Sequence, residues 1–189
     1  LRAVARRFDP EGKDPAMQRM VLMGHSQGGL LVKMMAIETG TKLWDTVSAV
    51  PLDQLKLSAQ SRDMLQESLF VEPLPFVRRV IFMCTPHRGS YQAGGRIVHW
   101  VARFIKLPGD VLKAGTDLLQ GNADKLKLAR TGLPTSIDNM TPSNRFIQTL
   151  ATIPVAPGVA AHSIIAVQGD GPVEAGTDGV GKYESAHID

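Results

Sequence analysis

The stretch MVLMGHSQGGLLVKMMAIETG, Met20–Gly40, decides the fold. It opens on a continuous apolar run, Met20, Val21, Leu22 and Met23, which predicts a short strand over 19–24. Apolar runs without alternation suit a parallel sheet covered on both faces. It closes on Leu30, Leu31, Met34, Met35 and Ile37, which predict a helix over 27–39 stopped by Gly40. Between the two stands Gly24-His25-Ser26-Gln27-Gly28, a G-x-S-x-G spacing. The spacing has a steric reading. A serine on so tight a strand-to-helix turn has strained backbone angles, and a Cβ two residues before or after it would collide with neighbouring backbone. Glycine removes that atom and lets the turn close.

The chemistry follows from the turn. The serine oxygen projects above the sheet at the N-terminus of the helix, where backbone N–H groups favour a developing negative charge. Ser26 is therefore the candidate nucleophile, and the N–H of Gln27 a candidate oxyanion donor. The bland alternative is an ordinary glycine turn, and the pentapeptide by itself arises by chance about 0.1 times in a chain this rich in glycine and serine. The apolar strand before it and the amphipathic helix after it favour the functional reading.

Working outward, Ser61 reads as the cap of a helix reaching about Phe70, ended by Pro73 and Pro75. A second apolar strand is predicted over 79–84 (Val80, Ile81, Phe82, Met83), stopping at Thr85-Pro86. Residues 91–150 read as a helical insert. Ile97, Val101, Phe104 and Ile105 recur there at helical spacing, and two more helices are predicted over 111–120 and 143–151, the last capped by Ser143. A third strand is predicted over 163–168, followed by a polar, glycine-rich loop over 169–181. Strands alternating with helices argue for an α/β layer fold with a parallel sheet.

Three segments carry a family resemblance. VLMGHSQGGLLVKM (21–34) resembles the elbow of α/β-hydrolase lipases and esterases. CTPHRGS (84–90) resembles the segment that follows a strand in lipase-like members, including bacterial relatives of GPI inositol-deacylases. TDGVGKYESAH (177–187) resembles the loop that bears their catalytic acid. The resemblance implies an α/β-hydrolase fold, here a partial parallel sheet with flanking helices and a lid-like helical insert at about 91–150. It implies a serine hydrolase that cleaves carboxylic esters through an acyl-serine intermediate, with Ser26 as nucleophile and Asp178 as acid. Asp170, in Gly-Asp-Gly, is the competing acid. An amidase or thioesterase of the same fold, or a non-catalytic relative that binds lipid or protein, would share these features.

The base is harder to place. In this fold the histidine follows the acid, usually after a further strand. Only His187 follows Asp178, and nine residues leave no room for that strand, so His187 reads as pocket-lining or helix-capping. His25 lies inside the elbow, His87 reads as ordering a loop, His99 falls in the insert and His162 precedes the acid. Only 25 residues precede Ser26, and the loop that would give a second oxyanion N–H is not seen. The expectation is a single partial domain over 1–189, an internal piece of a larger enzyme, inactive alone because its histidine lies beyond Asp189, and prone to aggregate through unpaired sheet edges.

Composition sets the outer bounds. The 189 residues are 43% hydrophobic and 21% charged, an ordinary globular balance. The formal charge of +3, spread along the chain, does not argue for nucleic acid. The lone Cys84 allows no intrachain disulfide and fixes no compartment. No apolar run approaches the length of a membrane span. The expected partner is a small-molecule or lipid ester. The mix of Trp100 and Phe104 with Arg96, Arg103 and Lys106 suits a helix on a lipid interface, a lid, or plain core packing. Asp170, Glu174 and Asp178 could in principle offer oxygens to calcium, but Pro172 and the lack of a terminal glutamate count against it. No metal and no cofactor is expected.

Overall fold

The computed structural model describes residues 1–90, 109–127, 142–179 and 181–188. They form a mixed α/β structure built on a three-stranded parallel sheet. The chain groups into two compact units: one of residues 1–38, 72–88 and 153–189, the other of 39–71 and 89–152.

The first unit holds the sheet. After helix α1 (Arg2–Phe8) come strand β1 (Met20–His25) and helix α2 (Gln27–Met34). Strands β2 (Val77–Met83) and β3 (Ala160–Ile164) complete it, in the order β1-β2-β3. All pairings are parallel, so the three carboxyl ends share one edge. The register defines two faces. The rows Leu22–Val80–Ala161 and Gly24–Phe82–Ser163 face the core. There Val80 and Phe82 are fully buried beneath Val32 and Ala36. Removing Phe82 from water alone is worth about 2–3 kcal/mol.

The rows Met23–Ile81–His162 and His25–Met83–Ile164 form the other face. On it Val21, Met23 and Ile164 are 52%, 56% and 53% exposed. Cover on both faces was expected from the apolar run. Among the described residues only one face is packed, because α2 and the segments beside it all join the core on the Phe82 side.

Boundaries moved for identifiable reasons. Helix α2 stops at Met34, five residues short of the expected end. The carbonyls of Met35 and Ala36 instead accept from the N–H groups of Leu74 (2.9 Å) and Ala156 (2.8 Å), so tertiary partners replace helical ones. Strand β3 lies at 160–164, not 163–168. Its ladder is made by Ala160 to Ile164, after which Gln168 N–H donates to the Thr177 carbonyl at 2.9 Å.

The second unit carries α3 (Trp44–Val47), α4 (Ala59–Leu69), α5 (Gly109–Leu119) and α6 (Arg145–Thr152). Its core gathers Trp44, Val47, Leu52, Leu55, Leu118 and Leu126. The caps sit three residues and one residue from expectation. Ser58, not Ser61, caps α4 by accepting from the Ser61 N–H at 3.3 Å. Asn144, not Ser143, caps α6 by accepting from the Phe146 N–H at 2.8 Å. The helices α5 and α6 fall within the expected insert. The stretch around Trp100 and Phe104 and the histidine His99 lie outside the described residues.

One polar residue staples this unit. Asn122 is fully buried, and its side chain accepts from the Lys56 N–H and donates to the Lys56 carbonyl, both at 2.9 Å. Asn122→Ala would leave both Lys56 groups without those partners. Urea unfolding should show a loss of about 2–3 kcal/mol.

Candidate functional site at the carboxyl edge of the sheet

The sheet edge at which parallel strands end is where open α/β folds place ligands. Ser26 stands there, one residue past β1, with φ 52 and ψ −127. A non-glycine residue at positive φ is held there only by its surroundings, at a cost of about 1–3 kcal/mol. Those surroundings are visible. The Ser26 N–H donates to the Met83 carbonyl at 2.9 Å, and the Gly29 N–H donates to the Ser26 carbonyl at 3.0 Å. Cys84 repeats the arrangement one strand over: φ is 46, and its N–H donates to the Ile164 carbonyl at 2.9 Å. The two strained residues form a stair across the carboxyl ends of all three strands.

The glycines of the elbow do not divide the work as expected. A Cβ on Gly24 would lie 2.5 Å from the Gly28 oxygen and 2.6 Å from Gly29 Cα, so backbone blocks it. A Cβ on Gly28 would meet nothing within 4 Å. The second crowded position is Gly29, where a Cβ would sit 2.6 Å from Thr85 Cγ2 and closer still to Thr85 Oγ1. The steric demand thus falls two before and three after Ser26, and the downstream one is set by Thr85, which the sequence marked as a strand stop and as part of the CTPHRGS segment without any link to the elbow.

The first helical position of α2 is Gln27. Backbone N–H groups there have no intrahelical acceptor and lie at the positive end of the helix dipole. Ser26 supplies no capping hydrogen bond through its side chain. No described residue hydrogen-bonds its hydroxyl, so the triad geometry is incomplete among the described residues.

Asp178 lies in the long loop after β3. The turn is closed by a bridge between Thr177 and Lys182, and the Asp178 carboxylate accepts from the Gly181 N–H at 2.6 Å. Gln168 Nε2 donates to the Asp178 carbonyl at 3.2 Å, tying the turn to the chain just past the strand. Asp170 is exposed. No three His, Cys, Asp or Glu side chains among the described residues converge as metal ligands.

The histidines scatter. His25 is exposed on the open face, and His162 contacts Arg79 there. His187 ends helix α7 (Tyr183–Ala186), packs on Tyr183 at 5.5 Å and lines a cavity of about 500 Å³ with His162 and Tyr183. It both caps and lines a pocket. His87 is 2% exposed, stands edge-on to Phe82 at 4.6 Å, and has no hydrogen-bond partner for either ring nitrogen among the described residues. Burial, aided by Lys33 and Arg88, pushes its pKa down to about 3. Lys33, on α2, is 4% exposed; burial, then Arg88, lowers it to about 8. Neither burial had a signal in the sequence, since a lysine on an amphipathic helix reads as solvated.

This neutral histidine makes stability depend on acid. Its pKa in the folded state lies below the ordinary 6.5, so between the two values the unfolded chain binds a proton that the folded one refuses. Stability must then fall as pH drops below the unfolded value. From pH 7 to pH 5 this group should remove about 2 kcal/mol. Urea unfolding of His87→Leu at both pH values should show that much less acid sensitivity than wild type.

The three resembling segments meet in space. Thr85 packs on the elbow, and Arg88 holds the C-terminal segment. Its Nη1 donates to the carbonyls of Glu184 (2.6 Å) and His187 (2.7 Å), and its N–H donates to the Ser185 carbonyl at 3.3 Å. No protein-family model matches the chain, and no curated protein matches it significantly.

Proposed function

We propose that this chain carries the nucleophile elbow of an α/β-hydrolase and that the protein is a serine ester hydrolase. The observation that carries the reading is Ser26 itself: a strained serine at φ 52 between a parallel strand and the first turn of a helix. Strain of that kind is concentrated at functional sites. The order of Ser26 and then Asp178, and the contacts among the three resembling segments, support it further.

In this reading Ser26 Oγ loses its proton to a histidine and attacks the ester carbonyl. The oxyanion of the tetrahedral intermediate is held by the Gln27 N–H. Collapse expels the alcohol, which takes the proton back from the imidazolium, and leaves an acyl-serine. Water, activated by the same histidine, then releases the acid. Asp178 orients the histidine. In this reading the base is a histidine outside the described residues, because His187 follows Asp178 too closely for the strand that separates acid from base in this fold.

The acyl group is apolar, a choice that rests on the lipase-like segments and the insert. The test is turnover by the intact protein of p-nitrophenyl butyrate and octanoate against the matching anilides. Ester hydrolysis well above the anilide rate is expected. Anilide turnover at the ester rate, or no turnover of either, would contradict the reading.

A further inference from the structure

We infer that Thr85 is a positioning residue for Ser26, acting by shape through Gly29. This rests on the elbow reading above. The Thr85 side chain is 1% exposed and fills the place where a Cβ of Gly29 would be, with its Cγ2 2.6 Å and its Cβ 2.7 Å from that point. Its Oγ1 also reaches the Gly24 carbonyl at 3.5 Å, a long and weak hydrogen bond. Thr85 thus touches both glycines that flank Ser26, Gly24 at the end of β1 and Gly29 in the first turn of α2. Gly24 and Gly29 are themselves in close approach, with the space for a Gly24 Cβ closed by Gly29 Cα.

The consequence is mechanical. Ser26 keeps a strained φ only while strand end and helix start stay pressed together, and Thr85 wedges against the helix side of that closure from the segment that follows β2. Emptying the wedge leaves room for α2 to shift and for φ of Ser26 to relax. A nucleophile displaced by a fraction of an ångström loses rate without losing substrate affinity. The long distance to Gly24 makes the hydroxyl's hydrogen bond secondary to the space its oxygen fills beside Gly29, so a side chain of the same outline should serve.

The experiment uses the intact protein and follows both ester turnover and the rate at which a fluorophosphonate phosphonylates Ser26, fluoride being the leaving group. Thr85→Ala should lower kcat and the phosphonylation rate together by roughly 10-fold or more, with KM within about twofold of wild type. Thr85→Val, which keeps the outline, should restore both to within about threefold. If Thr85→Ala fails to fold, Thr85→Ser, which lacks only Cγ2, should show a smaller loss of the same kind, again in kcat. Wild-type phosphonylation and kcat in Thr85→Ala, or in Thr85→Ser when the alanine variant is unfolded, overturns the inference while leaving Ser26 as nucleophile. A loss in Thr85→Val as large as in Thr85→Ala overturns the argument from shape. Failure of the wild-type protein to be phosphonylated at Ser26 overturns both readings at once.

Discussion

Replacing Ser26 by alanine should reduce ester turnover by roughly 10⁴-fold or more, to the level of uncatalysed or residual hydrolysis. The size follows from the role. An attacking oxygen has no substitute within the elbow, because neither His25 nor Gln27 carries a hydroxyl. The loss should lie in kcat with little change in KM, since the hydroxyl is needed for bond formation more than for binding. The same position makes a second statement. Ser26→Gly removes the Cβ from a φ of 52 and should raise stability by about 1 kcal/mol while abolishing activity equally. A gain in stability paired with a loss of function is the signature of strain kept for chemistry. If Ser26→Gly instead destabilises the fold, the serine side chain is a structural element and the account of stored strain fails.

The second large effect is a contrast between neighbouring glycines. Gly24→Ala should destabilise by about 3 kcal/mol or more, enough to unfold a marginal domain. The new methyl would meet the backbone of Gly28 and Gly29 at 2.5 and 2.6 Å, and backbone in a strand-to-helix turn cannot step aside as a side chain can. Gly28→Ala should be harmless or stabilise by up to about 1 kcal/mol, since it meets open space and adds helix propensity to α2. Urea midpoints of the two variants, measured side by side, decide the matter. Equal losses in both would mean that the closure of the elbow is not as described.

Much of the sheet was legible because its signal is local. The apolar run at 20–23 and the glycine-flanked serine after it placed β1, the turn and the start of α2 within a residue. Strand β2 was found by the same means. The third strand slipped because its apolar letters, Ile164 to Val167, stand mostly beyond the ladder, while the paired stretch holds Ala160, Ala161 and His162. Backbone pairing with β2 decided that strand, and pairing through small or polar residues leaves no periodic trace. The same holds for the caps: Ser58 and Ser61 are both serines, and only the direction of one hydrogen bond separates cap from first turn.

The site was legible in its residue types and illegible in its supports. G-x-S-x-G named Ser26 but misassigned the downstream steric demand, which falls on Gly29 and is set by Thr85, distant in sequence. Lys33 and His87 were equally hidden, because nothing in a helix pattern or a loop motif shows that a charged or titratable group turns inward. The face bearing Val21, Met23 and Ile164, exposed among the described residues, ran against the expectation of cover on both sides, which the unbroken apolar run had favoured.

The central claim is that Ser26 is a nucleophile, and covalent capture tests it most directly. The intact protein should be treated with a fluorophosphonate and its peptides mapped by mass spectrometry. One adduct is expected, on the peptide that contains Ser26, and none in Ser26→Ala. An unlabelled protein, or an adduct on another serine that persists in Ser26→Ala, would contradict it.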